Sequence, residues 1–185
     1  MKYLCLDIET TDLEPVYGSI LQVAGIVVNA TEALPSLKEL ESRGCVFNML
    51  IKHNLRELRG NHGAFEMNAA LIKRTQLEGV TEEFAQGEWV TFLEKHFGKI
   101  PKNRATIAGK NVGSFDVVWL HEKGWATPFR VSVLDPGILY FDPQNDDLVP
   151  HLPEIAKRIG ATYKEHDALE DAYTTALALQ KKFVN

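Results

Sequence analysis

Apolar positions cluster first in three short runs near the N-terminus. Residues Tyr3 to Ile8 read as a short buried strand that runs into carboxylates. Ile20 to Val28 (Ile-Leu-Gln-Val-Ala-Gly-Ile-Val-Val) is a β-branched stretch of the kind found in central strands, and Gly44 to Lys52 is a third candidate. The turn-like Thr11 to Ser19 and the polar Asn29 to Arg43 connect them. Helical spacing then takes over. Ala69 to Arg74 reads as a short helix. Thr81-Glu82-Glu83-Phe84 opens with a capping signature, after which Phe84, Trp89, Phe92, Leu93 and Phe97 recur on one face. Ala105 to Gly109 is predicted as a strand, Ser114 to Lys123 as a helix, and Val131 to Leu134 as another strand. His151 to Ile159 and Ala168 to Phe183 are the last helices, the second striped by Leu169, Ala172, Tyr173, Ala176, Leu179 and Phe183. Hairpin-like strands followed by alternating helix and strand predict an α/β domain with a mixed central sheet flanked by helices.

Composition narrows the class. The 185 residues are 45% hydrophobic and 24% charged, which suits one domain over residues 1–185 with a real core. No repeat or linker-like tract divides it. No apolar run approaches the roughly 18 residues that span a bilayer, and the first apolar stretch is cut short by Asp7, unlike a secretion signal. Cys5 and Cys45 form neither a disulfide framework nor a zinc site, so a reduced cytoplasm is expected. The net charge of −5 argues against tight, extended binding of duplex DNA. It leaves room for an enzyme that grips a strand end, where bound metal ions supply positive charge.

Three acidic segments carry candidate chemistry. In Asp7-Ile8-Glu9 the two carboxylates point to one face of a strand and repel each other unless a cation sits between them. Oxygen-rich pairs of this kind suit Mg²⁺ or Mn²⁺, although a solvated strand end explains the pair equally simply. Asp116 follows Ile107-Ala108-Gly109-Lys110-Asn111-Val112-Gly113-Ser114-Phe115. With Ser114 as N-cap it lies in a first helical turn, where the helix dipole alone would favour an acid. In His166-Asp167-Ala168-Leu169-Glu170-Asp171 the helix dipole accounts for Asp167 and Glu170. Asp171 differs, because its neighbours Ala168, Ala172 and Thr175 are small and partly apolar. His166 sits just before that helix, near solvent, where a solitary histidine is ordinarily a surface residue.

Taken together and in order, Asp-x-Glu, Asn-x-x-x-Phe-Asp and His-x-x-x-x-Asp resemble the three motifs of the DEDD exonuclease superfamily. The histidine five residues before Asp171 matches the DEDDh branch, and the resemblance spans nearly the whole chain. It implies a ribonuclease-H-like fold and a single exonuclease domain. By the resemblance, Asp7, Glu9, Asp116 and Asp171 hold two divalent metal ions, Mg²⁺ or Mn²⁺. Asp7 is shared, Asp116 acts through water, and His166 is the general base. The implied product is a nucleoside 5′-monophosphate released from the 3′ end of a single strand. The family's terminal-nucleotide contacts fall on Thr10, Thr11 and Leu13, with Asp12 standing where the family has glycine.

Phe115 either anchors the helix in the core or stacks on a base. Asn111 and Lys110 either meet the scissile strand or cap their turn. Phe65 and Met67, on the segment where family members contact substrate, are read as core in preference to base contacts. Trp89, Trp119 and Trp125 are read as core too, and Asp135, Asp142, Asp146 and Asp147 as loop acids. The expected partner is a single-stranded 3′ end, with no membrane. A homodimer and a polymerase-associated subunit both stay open. Single-stranded DNA is the first substrate reading and RNA the alternative, since discrimination rests on 2′-hydroxyl contacts. A catalytically silent nucleic-acid-binding module is the rival class, opposed by the five filled catalytic positions. A small-molecule α/β protein lacks its phosphate-binding glycine loop here.

Overall fold

A computed structural model describes residues 1–99, 104–164 and 166–183. Its sheet has the order β3-β2-β1-β4, built from β1 (Lys2–Thr10), β2 (Ile20–Asn29), β3 (Val46–Leu50) and β4 (Ile107–Ala108). The first three strands form an antiparallel meander, in which Asp7 faces Ala24 and Glu9 faces Gln22 across the β1–β2 ladder. β4 joins β1 in parallel through only two residue pairs, Leu4–Ile107 and Cys5–Ala108. The sheet is therefore mixed, as the pattern predicts. It is helped at its edge by isolated bridges such as Ala108–Leu134.

Helices α1 (Leu37–Ser42), α2 (His62–Met67), α3 (Ala69–Glu78) and α4 (Glu82–Phe97) precede β4. Helices α5 (Asp116–Glu122), α6 (Pro136–Tyr140), α7 (Leu152–Ile159) and α8 (Ala168–Phe183) follow it. The alternation of β1 sorts its side chains between two layers. Leu4, Leu6 and Ile8 pack with Trp89 and Leu93 of α4 and Trp119 and Leu120 of α5. Tyr3 and Cys5 face the other way, onto Ala168, Ala172 and Ala176 of α8. These alanines carry little bulk, so α8 lies close to the sheet along the line that Asp7 and Glu9 continue.

The three tryptophans are buried, and each indole N–H finds an acceptor, as burial of a polar edge requires. Trp89 donates to Ala126 O (2.8 Å), Trp119 to Leu13 O (3.2 Å) and Trp125 to Glu82 Oε1 (2.9 Å). Thr81 caps α4 by accepting from Phe84 N at 3.3 Å.

Several expectations are corrected. Val131–Leu134 is not a strand. Val131 is 92% exposed and only Leu134 bridges to the sheet. Ser114 is not the cap of α5, because the chain turns at 111–115 and the helix begins at Asp116 with Phe115 as N-cap. Phe84 sits on the solvent side of α4 despite its spacing, while Trp89, Phe92 and Leu93 carry the buried face. The polar connection after β2 contains α1, whose capping box joins Ser36 and Glu39. Among the described residues no helix is long and apolar enough to cross a membrane.

Candidate active site

The outward line of β1 ends at Asp7 and Glu9, and α8 brings Asp171 against them. One carboxylate oxygen from each of the three lies within 4.8 Å of the others. Asp116 arrives from a different direction. β4 stops at Ala108, so among the described residues the β4-facing edge of β1 has no strand partner further along. Asp116 occupies that gap and accepts from Ile8 N at 3.0 Å. The chain leaves β4 through Gly109, where a Cβ would lie 2.7 Å from Leu6 O and 2.8 Å from Val112 Cβ. Only glycine lets the turn toward Asp116 pass so near β1.

Four acids so arranged disfavour their own ionisation. Burial, then the charges of Asp116, Asp171, Glu9 and Asp167, pushes the Asp7 carboxyl well above the usual range. Burial, then Asp171, Asp167 and Asp116, raises Glu9 to about 8. Asp116 is also pushed up to about 8, mainly by burial, against the lowering effect of its backbone hydrogen bonds. A donor set made only of carboxylate oxygens, part-buried and mutually repulsive, fits a hard divalent cation that would replace protons in the gap.

The first turn of α8 is held by side chains that sequence spacing does not single out. Gln22, buried in β2, donates to Asn48 Oδ1 (2.9 Å) and to Asp167 Oδ1 (3.2 Å), and its own carbonyl accepts from Ala168 N (3.3 Å). Asp167 also accepts from Leu169 N (3.1 Å) and pairs with Arg74 of α3 at 3.4 Å. It is thus the cap that anchors α8, and the helix dipole is not its whole explanation. A glutamine in an otherwise apolar strand was the available signal, since a buried amide needs partners. His166 is exposed immediately before this cap, with a left-handed backbone (φ 62°).

The remaining predicted residues separate into anchors and surface groups. Thr11 is fully buried. Its N–H donates to Ser19 O (3.0 Å), its hydroxyl donates to Arg59 O, and that hydroxyl accepts from Ser19 N (2.8 Å). Thr10 is buried and donates to Asp12 O (2.8 Å), so both hydroxyls serve the loop that follows β1. Leu13 is 76% exposed, on a loop fastened by Trp119 and by Lys123 Nζ to Gly18 O (2.7 Å). Asn111, also left-handed (φ 58°), donates its N–H to Asp135 Oδ2 (3.0 Å) and accepts from Lys110 Nζ (2.8 Å). Asp135 is therefore a buried cap of α6 and no simple loop acid. Phe115 is half-buried against Trp119 (ring centroids 6.2 Å apart) and packs on the core. With Asp7, Lys110, Asn111, Ser114 and Asp116 it also lines an open cleft of about 320 Å³. Met67 is exposed, against the core reading, whereas Asn68 is buried and donates to Thr10 O (2.9 Å).

No family model and no curated protein matches the sequence. Solved structures do. Pop2p of S. pombe, in a Mg²⁺- and Mn²⁺-bound form, is 13% identical with a TM-score of 0.66 over 97% of this chain and 81% of its own. E. coli Exonuclease I, in complex with a 5cy-dA13 oligonucleotide, is 19% identical with a TM-score of 0.63. That match covers 98% of this chain and 40% of that one. Cell-death related nuclease 4 is 13% identical with a TM-score of 0.67, covering 97% and 62%. This chain thus spans about two fifths of Exonuclease I. At these identities the likeness is one of architecture: the chain has the mixed sheet and flanking helices of the ribonuclease-H-like exonuclease fold.

Proposed function

We propose that this protein is a metal-dependent 3′→5′ exonuclease that shortens single-stranded DNA and releases nucleoside 5′-monophosphates. The observation that carries the reading is the meeting of Asp7, Glu9 and Asp171 within 4.8 Å, with Asp116 at the adjoining strand edge. Support comes from relatives in fold, one solved with Mg²⁺ and Mn²⁺ and another with an oligonucleotide.

In this reading Asp7, Glu9 and Asp171 would hold one Mg²⁺ or Mn²⁺ ion, and Asp7 and Asp116 would hold a second. Two such ions supply charge stabilisation to the attacking and leaving oxygens of an in-line displacement at phosphorus. The protein's part is to aim these carboxylates and to move a proton. A water oxygen attacks the phosphorus of the terminal phosphodiester, and His166 takes the water's proton. The bond to the 3′-oxygen of the preceding nucleotide breaks, and that oxygen takes a proton from solvent to become the new 3′-hydroxyl. An imidazole exchanges protons nearest neutral pH of all side chains. The exposed Leu13 wedges against the last bases, and the backbone beside Thr10 and Thr11 shapes the seat of the terminal nucleotide. Asn111 and Phe115, on the cleft wall, face the scissile strand.

The test is a digestion of 3′- and 5′-labelled single-stranded DNA and RNA, with Mg²⁺ or Mn²⁺ and then with EDTA. Metal-dependent ladders shortening from the 3′ end are expected, faster on DNA. Absence of any such shortening would falsify the enzyme reading, and faster RNA ladders would reassign the substrate.

A further inference from the structure

The chain is acidic, yet its charge is unevenly spread. Between Lys52 and Arg74 stand five basic residues, Lys52, Arg56, Arg59, Lys73 and Arg74, against only Glu57 and Glu66, in a protein of net charge −5. All five cations are exposed. Arg74 is engaged with Glu78 (3.9 Å) and Asp167 (3.4 Å). Among the described residues the side chains of the other four have neither an ion pair nor a hydrogen bond.

This arm is fastened to the acidic site at three points. Thr11 donates its hydroxyl to Arg59 O, Asn61 N donates to Thr11 O (2.9 Å), and Asn68 donates to Thr10 O (2.9 Å). Arg59 therefore lies beside a residue two positions past Glu9, and Arg74 beside the cap of the helix that carries Asp171. The unpaired positive charges of Lys52, Arg56, Arg59 and Lys73 thus belong to a segment fastened beside a cluster of carboxylates that would itself repel a polyanion. Charge complementarity of this kind steers and holds phosphates. Met67 within this segment, and Leu13 and Tyr17 in the loop that begins at Thr11, are exposed and offer surfaces for bases.

We propose that residues 52–74 form the track on which the strand upstream of the cleaved nucleotide lies, with Arg56 and Arg59 contacting its phosphates. The proposal rests on the exonuclease reading for the identity of its ligand. It is tested by binding of a labelled oligothymidylate to the intact protein in Ca²⁺, followed by fluorescence anisotropy across a KCl series, alongside cleavage in Mg²⁺. The double variant Arg56→Gln/Arg59→Gln is expected to bind on the order of tenfold more weakly at low salt. Its log K against log[salt] plot should be shallower by about 1.4, the value for two lost contacts to a single strand. Lys38→Gln/Lys157→Gln, which removes the same charge from α1 and α7, should keep the wild-type slope.

Cleavage by the wild type with an unchanged slope in Arg56→Gln/Arg59→Gln overturns the track and leaves the exonuclease standing. Arginine-dependent binding without cleavage keeps the track and removes the exonuclease. Neither binding nor cleavage removes both.

Discussion

Gln22 and Asp167 face each other at 3.2 Å between the second strand and the start of the last helix, and the same glutamine accepts from Ala168 N. One buried side chain thus holds Asp167, the residue just before α8, four residues ahead of Asp171 and one after His166. Gln22→Leu keeps the volume and removes all of these bonds, leaving Asp167 and the Ala168 N–H short of partners. A loss of about 1–3 kcal/mol in stability is expected for the unsatisfied groups. A merely structural residue would do no more. A positioning residue should also raise the Mg²⁺ needed for half-maximal rate, or lower the rate itself, by about 10–100-fold. Metal titration of the folded variant distinguishes the two.

The raised carboxylates make stability fall with pH when metal is absent. Glu9 and Asp116 titrate at about 8 in the folded protein, against ordinary values of 4.5 and 3.8. Between those limits the unfolded chain gives up protons that the folded chain retains, so the unfolded state gains as pH rises. In EDTA, Tm should therefore be higher near pH 5 than near pH 8. Mg²⁺ or Mn²⁺ should raise Tm most at the upper end, where fewer protons compete for the carboxylates. Asp7→Asn should remove activity while raising Tm in EDTA, by about 2–4 °C for each kcal/mol of repulsion relieved. A Tm in EDTA that is flat or rises over this range would contradict the picture of four acids destabilising one another.

How much of this was legible in the chain depended on whether a feature was local. The periods of β1, β2 and α8 are set by alternation and by an apolar stripe, so their limits were read to within two residues. The acid cluster was legible because strand periodicity aims Asp7 and Glu9 together and the motif order pointed to Asp116 and Asp171. Val131–Leu134 misled because an apolar, β-branched run describes a strand equally well when only its last residue meets a partner edge. Asp135 and Asp167 looked like ordinary polar-segment acids, since their partners lie 24 and 145 residues away in Asn111 and Gln22. The basic arm escaped notice because bulk charge averages it against the rest of the chain.

His166 combines an exposed side chain with a left-handed backbone at φ 62°. Removing the imidazole should lower kcat by roughly 10²–10⁴-fold if it serves as the general base. His166→Gly should be at least as stable as His166→Ala, because glycine adopts this conformation without the penalty that a Cβ brings. Both variants leave the acid cluster intact, so divalent-ion stabilisation should persist in each. Because the position is open to solvent, added imidazole should restore part of the rate in the glycine variant. Wild-type turnover in either variant would remove His166 from the reaction.

Gly60 and Gly87 should respond in opposite directions to the same substitution. A Cβ on Gly60 would lie 2.3 Å from Thr11 O and 2.6 Å from Thr11 Cβ, at the place where the basic arm meets the end of β1. Thr11 is fully buried and hydrogen-bonded on both sides, so it has nowhere to retreat. Gly60→Ala is therefore expected to cost about 1–3 kcal/mol, as overpacking does, and to shift the arm relative to Glu9. Gly87 lies inside α4 with nothing within 4 Å of its added Cβ. There alanine should stabilise by about 0.5–1 kcal/mol through helix propensity alone. Thermal unfolding of the two variants measures both signs. Activity on a long single strand should fall only in Gly60→Ala, because that junction alone sets the arm against the acids.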